Sequence, residues 1–149
     1  MKIASLLLIT LFCLMPALPG EASEPGEQIA VNRYFQKGIE YSNKGEHEKA
    51  AEEFRKAITI DERFPDAYLA LTVALINMRE PEEALVYAVR ASELDPESRK
   101  ALFIKARLYE RNGETDKAIS AWERYLKLNP EGRRARKAKR HLETLREAQ

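Results

Sequence analysis

The residues able to do chemistry are few, and their spacing decides what they can do. His47 and His141 are the only histidines. His47-Glu48-Lys49-Ala50-Ala51 begins like the H-E-x-x-H arrangement, in which two histidines one helical turn apart share a zinc ion and the glutamate acts as base. Ala51 occupies the second ligand position, so no metal is expected there, and both histidines are expected on exposed helix or turn positions. Cys13 is the single cysteine and lies in an apolar run, which leaves no disulfide and no thiol chemistry. The sequence contains no glycine-rich phosphate loop and no nucleophile elbow. No catalytic residue and no cofactor are therefore expected, and the chain does not read as an enzyme.

What remains is charge. Arg133, Arg134, Arg136, Lys137, Lys139 and Arg140 put six basic residues into eight positions. In the first two turns of a helix they would oppose the helix dipole, which favours cations at the other end. Helix stability does not account for them. An anionic partner would, such as a phospholipid surface, an acidic protein or a cell-wall polymer. Basic residues without interleaved aromatics or a reading motif do not specify nucleic acid, and none is expected.

The elements that must position these residues follow from a period of 34. Residues 31–64, 65–98 and 99–132 align without a gap. Ala50, Ala84 and Ala118 then share a column, as do Tyr34, Tyr68 and Leu102; Gly38, Thr72 and Ala106; Tyr41, Leu75 and Tyr109; Phe54, Ala88 and Trp122. Each column keeps its size class better than its identity. Within a unit, apolar residues recur at helical period, Lys44-Gly45-Glu46 and Asn112-Gly113-Glu114 stop a first helix, and Pro65 and Pro81 suit a helix's first turn. Arg79 stands in the column of Gly45 and Gly113, so a turn needing positive φ would strain it mildly. With a methyl group at Ala50 and a hydrogen at Gly38, paired helices approach closely while aromatic residues fill the space around the contact. After Gly132, Ala135, Ala138, Leu142 and Leu145 form one apolar stripe, as a helix covering the open end of a stack would.

On these residues the chain resembles the tetratricopeptide repeat family, whose unit is a 34-residue helix-turn-helix. Leu102, Ala106, Tyr109, Gly113, Ala118, Trp122 and Asn129-Pro130 carry the resemblance most clearly. Lys37 and Lys105 depart from it where the family has an apolar residue, Glu62 replaces a terminal proline, and Tyr125 fills the alanine column of Ala57 and Ala91. The resemblance implies an all-α, right-handed α-solenoid of three helix-turn-helix repeats of 34 residues plus a C-terminal capping helix over 133–149. It also implies that the first helix of each pair lines a concave groove. The columns expected there are Phe35, Leu69 and Phe103, then Ile39, Val73 and Arg107, with Asn32, Asp66 and Lys100 beside them and Asn43, Asn77 and Arg111 offering hydrogen bonds and charge. The partner expected is a protein or peptide combining apolar and acidic residues. The lysine and asparagine clamp by which some family members hold a C-terminal carboxylate would fall at Phe35, Ile39 and Ala70, where it is missing; only Lys100 matches.

The ends differ from the middle. Lys2, the apolar run Ile3 to Met15 and the small-residue stretch ending at Ala22 make 1–22 a secretory signal, too short for a spanning helix, with a secreted or periplasmic protein beginning at Ser23. Residues 23–30 are expected to hold a polar linker, Ser23 to Glu27, and the start of the first helix. Residues 24–98 contain sixteen acidic and nine basic residues, net −7, whereas 99–149 contain fifteen basic and seven acidic, net +8. Such a dipole also suits a structural subunit of an envelope complex that docks through its charged ends.

Overall fold

A computed structural model describes residues 25–148. The expected secretory signal lies outside them. Seven α-helices follow one another, α1 Pro25–Asn43, α2 His47–Ile60, α3 Pro65–Asn77, α4 Pro81–Leu94, α5 Arg99–Arg111, α6 Thr115–Leu128 and α7 Arg133–Glu147, with no strand among the described residues. The period is reproduced in the helix starts. His47, Pro81 and Thr115 open the second helices at 34-residue steps; Pro65, Arg99 and Arg133 open first helices at the same step. The expected linker is shorter than the sequence suggested, because α1 already includes Pro25, Gly26 and Glu27. Proline is tolerated in a first helical turn, where its missing N–H would have had no partner.

The turn inside each pair is built the same way three times. The amide of Glu46 bonds the Tyr41 carbonyl at 3.0 Å, that of Glu80 bonds Leu75 at 2.9 Å and that of Glu114 bonds Tyr109 at 2.9 Å. Gly45, Arg79 and Gly113 bond one residue inside these and have φ of 76°, 66° and 74°. This is the six-to-one helix stop that needs a left-handed residue, and glycine adopts it without a Cβ penalty. Arg79 adopts it at a cost, as its column foretold.

Consecutive helices pack into one continuous stack. Ala50, Ala84 and Ala118 are each fully buried, as are Phe54 and Trp122 to within 1%. Gly38 is needed for α1 and α2 to touch, since a Cβ there would lie 2.5 Å from the Phe54 ring. One cluster joins α2, α3 and α4 to Leu108 of α5; a second joins Leu102, Ala106, Trp122 and Tyr125 to Ala138 and Leu142 of α7. The terminal helix thus buries the stripe expected of it. Its register adds something the stripe does not reveal. Ala135 falls in the column of Ala67 and Ala101, and all three are buried to at least 99%, so α7 sits as the first helix of a fourth unit.

Candidate partner-binding face

The first helices α1, α3, α5 and α7 start at 34-residue steps, except that α1 begins early, and the columns expected on their shared face divide by exposure. Asn32, Asp66 and Lys100 are exposed, as are Asn43, Asn77, Arg107 and Arg111. Ile39 and Val73 are half-buried between them. The expected line of large apolar groups on the surface is corrected: Leu69 is only 7% exposed, packed with Tyr68, Ala91 and Ala101. Phe35 and Phe103 turn sideways into the stack. The Phe35 ring lies 5.7 Å from Phe54 and 4.9 Å from Phe64, and Phe103 lies 5.0 Å from Trp122 and 5.3 Å from Tyr125, edge to face. Such aromatic contacts hold the floor of the face together, leaving only part of each ring for a partner.

Charge collects at one end of this face. Lys100, Arg107 and Arg111 of α5 are exposed, and the register of α7 adds Arg134 and Lys137 in the columns of Lys100 and Phe103. The Arg134 guanidinium lies 6.0 Å from the centre of the Phe103 ring, the separation of a cation–π contact. Among the described residues none of these five cations has a carboxylate partner. Reading α7 only as a cover hid Arg134 and Lys137 from the groove. Counting 34 residues on from Lys100 and Phe103 would have found them.

The remaining cations of the basic run lie elsewhere. Arg133, Arg136 and Arg140 are exposed on the side of α7 away from its buried stripe, and Lys139 borders Leu142 and Arg146. The run is therefore split between the partner-binding face and the outer surface of the last helix.

Neither histidine is an exposed bystander, contrary to expectation. His141 is half-buried, stacks on Trp122 with ring centres 5.3 Å apart and planes 9° apart, and meets Glu110 through Nδ1 at 2.9 Å. The other Glu110 oxygen accepts the Trp122 indole N–H at 3.3 Å. Glu110 thus ties α5 to α6 and α7. His47 is half-buried at the start of α2. Among the described residues no cluster of three His, Cys, Asp or Glu side chains is arranged to hold a metal, and no helix is long and apolar enough to cross a membrane.

The comparisons with known proteins agree with this architecture. Anaphase-promoting complex subunit 3 of Schizosaccharomyces pombe is 29% identical over 103 residues, 69% of this chain, but the chain spans only 16% of that relative's length. The Arabidopsis OM64 TPR domain superposes with a TM-score of 0.72 at 19% identity, covering 80% of this chain and 98% of that one. The first TPR of Spaghetti (RPAP3), bound to the HSP90 peptide SRMEEVD, gives 0.71 at 19% identity over 80% of this chain and 93% of that one. Sequence profiles described as tetratricopeptide repeat match residues 69–133 and 105–142, and one described as TPR repeat matches 32–78. With its period, its repeated turn and these matches together, the chain belongs to the tetratricopeptide repeat family.

Proposed function

We propose that the chain is a protein-interaction module, without catalytic activity of its own, that takes a partner segment with acidic and apolar side chains along the face of α1, α3, α5 and α7. The observation that carries this reading is the group of exposed cations without carboxylate partners, Lys100, Arg107, Arg111, Arg134 and Lys137, around the half-buried Phe103. Like charges gathered on one surface repel one another, and an acidic segment relieves that repulsion while steering the encounter. Asn43 and Asn77 supply hydrogen bonds toward the other end. The peptide held by the Spaghetti domain, with three acidic residues beside methionine and valine, has the composition expected here.

Magnitudes set what kind of binding to expect. A fully buried apolar side chain yields about 1.5–3 kcal/mol, and association costs at least about 4 kcal/mol. With Leu69 already buried and both phenylalanines partly used, apolar contact does not carry micromolar affinity, which needs about 8 kcal/mol. Charge must supply much of it, so affinity should fall steeply with salt. Selection from a randomised peptide library tests this: wild type should enrich acidic sequences containing aliphatic or aromatic residues. Arg107→Glu with Arg111→Glu should weaken the selected peptides about tenfold or more while leaving the melting transition in place. Enrichment of basic or purely apolar sequences overturns the reading.

A second reading, structural assembly, rests on Arg133, Arg136 and Arg140, which point away from that face, together with the −7 and +8 halves of the sequence. Export belongs to either reading and rests on the composition of residues 1–22; N-terminal sequencing of protein from the envelope fraction should give Ser23 as the first residue.

A further inference from the structure

Lys37 and Lys105 occupy the same column of the repeat, 68 residues apart, and the helix partner facing that column differs in every unit. In the first, Glu53 of α2 faces Lys37 across the pair at 3.4 Å, 3% exposed and bonded by Lys56 at 2.6 Å. In the second, the lysine column holds Leu71 and the glutamate column Tyr87, an apolar pairing that calls for no charge. In the third, Lys105 returns but Ala121 stands where the carboxylate was. Alanine leaves the space open. A depression of about 360 Å³ lies there, lined by Lys105, Tyr109, Asp116, Lys117, Ser120, Ala121 and Arg124.

We propose that this depression is an anion site, in which an incoming carboxylate takes the place that Glu53 fills in the first unit and is held by Lys105 and Arg124. Lys105 is half-buried, and its ammonium donates to the neutral hydroxyl of Ser92, at 2.8 Å. Burial first and the Arg124 guanidinium second push its pKa below the ordinary lysine value, with Glu93 opposing them weakly. A cation held at such a cost gains from an anion more than an exposed lysine would. Around the depression, Lys117 is bonded by Glu114 at 2.6 Å, Asp116 has an interaction of its own, and Arg124 donates to the backbone carbonyl of Pro96 at 3.5 Å. The site lies on α5 and α6 away from Arg107 and Arg111, so it stands or falls independently of the proposed partner face.

The carboxylate comes either from a small free acid or from an acidic side chain of a docked protein. Titrating the full chain with acetate, and separately with a glutamate-containing peptide, against chloride at fixed ionic strength distinguishes these. The carbon beside the Lys105 ammonium and the Ser120 and Ala121 amides should shift saturably in nuclear magnetic resonance spectra. Response to both probes assigns a site open to any carboxylate; response to the peptide alone assigns a side chain. Ala121→Glu should restore the Lys37–Glu53 arrangement within the chain, raise the melting temperature and remove both responses. Lys105→Leu, copying Leu71, should remove the responses without loss of stability. If neither probe gives a saturable shift, or if the shifts persist in Lys105→Leu, the site does not exist.

Discussion

Glu53 and Lys105 show how one facing pair of repeat columns can stabilise a fold at one level and burden it at another. Burial alone would raise the Glu53 pKa, but hydrogen bonds from Lys56 and Lys37 outweigh it and hold the carboxyl below its ordinary 4.5. A lowered carboxylate pKa contributes stability above 4.5 that is lost as pH falls through the folded value. Glu53→Gln should therefore cost about 1–2 kcal/mol at neutral pH, the modest end for a charged hydrogen bond because both lysines are half exposed. In acid, urea denaturation should find the two proteins converging. Lys105 has the opposite sign. Its lowered pKa makes the charged form a penalty at neutral pH, relieved as pH rises through the folded value toward 10.5. The stability gap between wild type and Lys105→Met should shrink or reverse over that alkaline range. In the sequence both lysines look like the same departure from the family pattern. What separates them is the facing column, Glu53 against Ala121, which the sequence also contains but which a reading along single helices passes over.

Helices were the most legible level, because three gapless units repeat the signals that start and stop them. The exceptions have physical causes. Pro25 and Gly26 read as breakers in the sequence, yet α1 includes both, because proline fits a first turn. The spacing of the phenylalanines suits surface groups as well as buried ones, because a position facing the groove and one facing sideways into the next unit differ by a fraction of a helical turn. Phe103 now predicts differently from a surface residue. With its ring against Trp122 and Tyr125, Phe103→Asp should cost roughly 3 kcal/mol, the low end of the range for losing a phenylalanine from a core, and lower the thermal transition. At α7 the contrast between its faces should be as sharp. Glu110→Ala removes the acceptor shared by Trp122 and His141, and hydrogen exchange in α7 should quicken by about tenfold for each 1.4 kcal/mol lost. Arg133→Glu, Arg136→Glu and Lys139→Glu alter exposed positions worth within about 0.5 kcal/mol each, so the transition should move by only a few degrees.

The molecule as a whole is a stack in which each helix touches its neighbours, so its electrostatics run along the chain as its packing does. The first unit is balanced, with seven acidic and seven basic residues over 31–64; the second, 65–98, has seven against two, net −5; and 99–149 has net +8, a separation that a nearly neutral total of +1 conceals. Charges so arranged attract the basic end of one copy to the acidic second unit of another only while solvent ions leave them unscreened. The screening length is about 30 Å at 0.01 M salt and about 8 Å at 0.15 M. If the charged ends drive assembly, the sedimentation coefficient should be raised at the lower salt and fall to the monomer value at the higher. Arg133→Glu, Arg136→Glu and Arg140→Glu together should abolish the rise, since they reverse the outer side of α7 without touching Ala135, Ala138 or Leu142 beneath it. Peptide binding at Arg107 and Arg111 should survive the same changes. A sedimentation coefficient independent of salt in wild type would remove assembly through the ends and leave the face of the first helices as the molecule's means of contact.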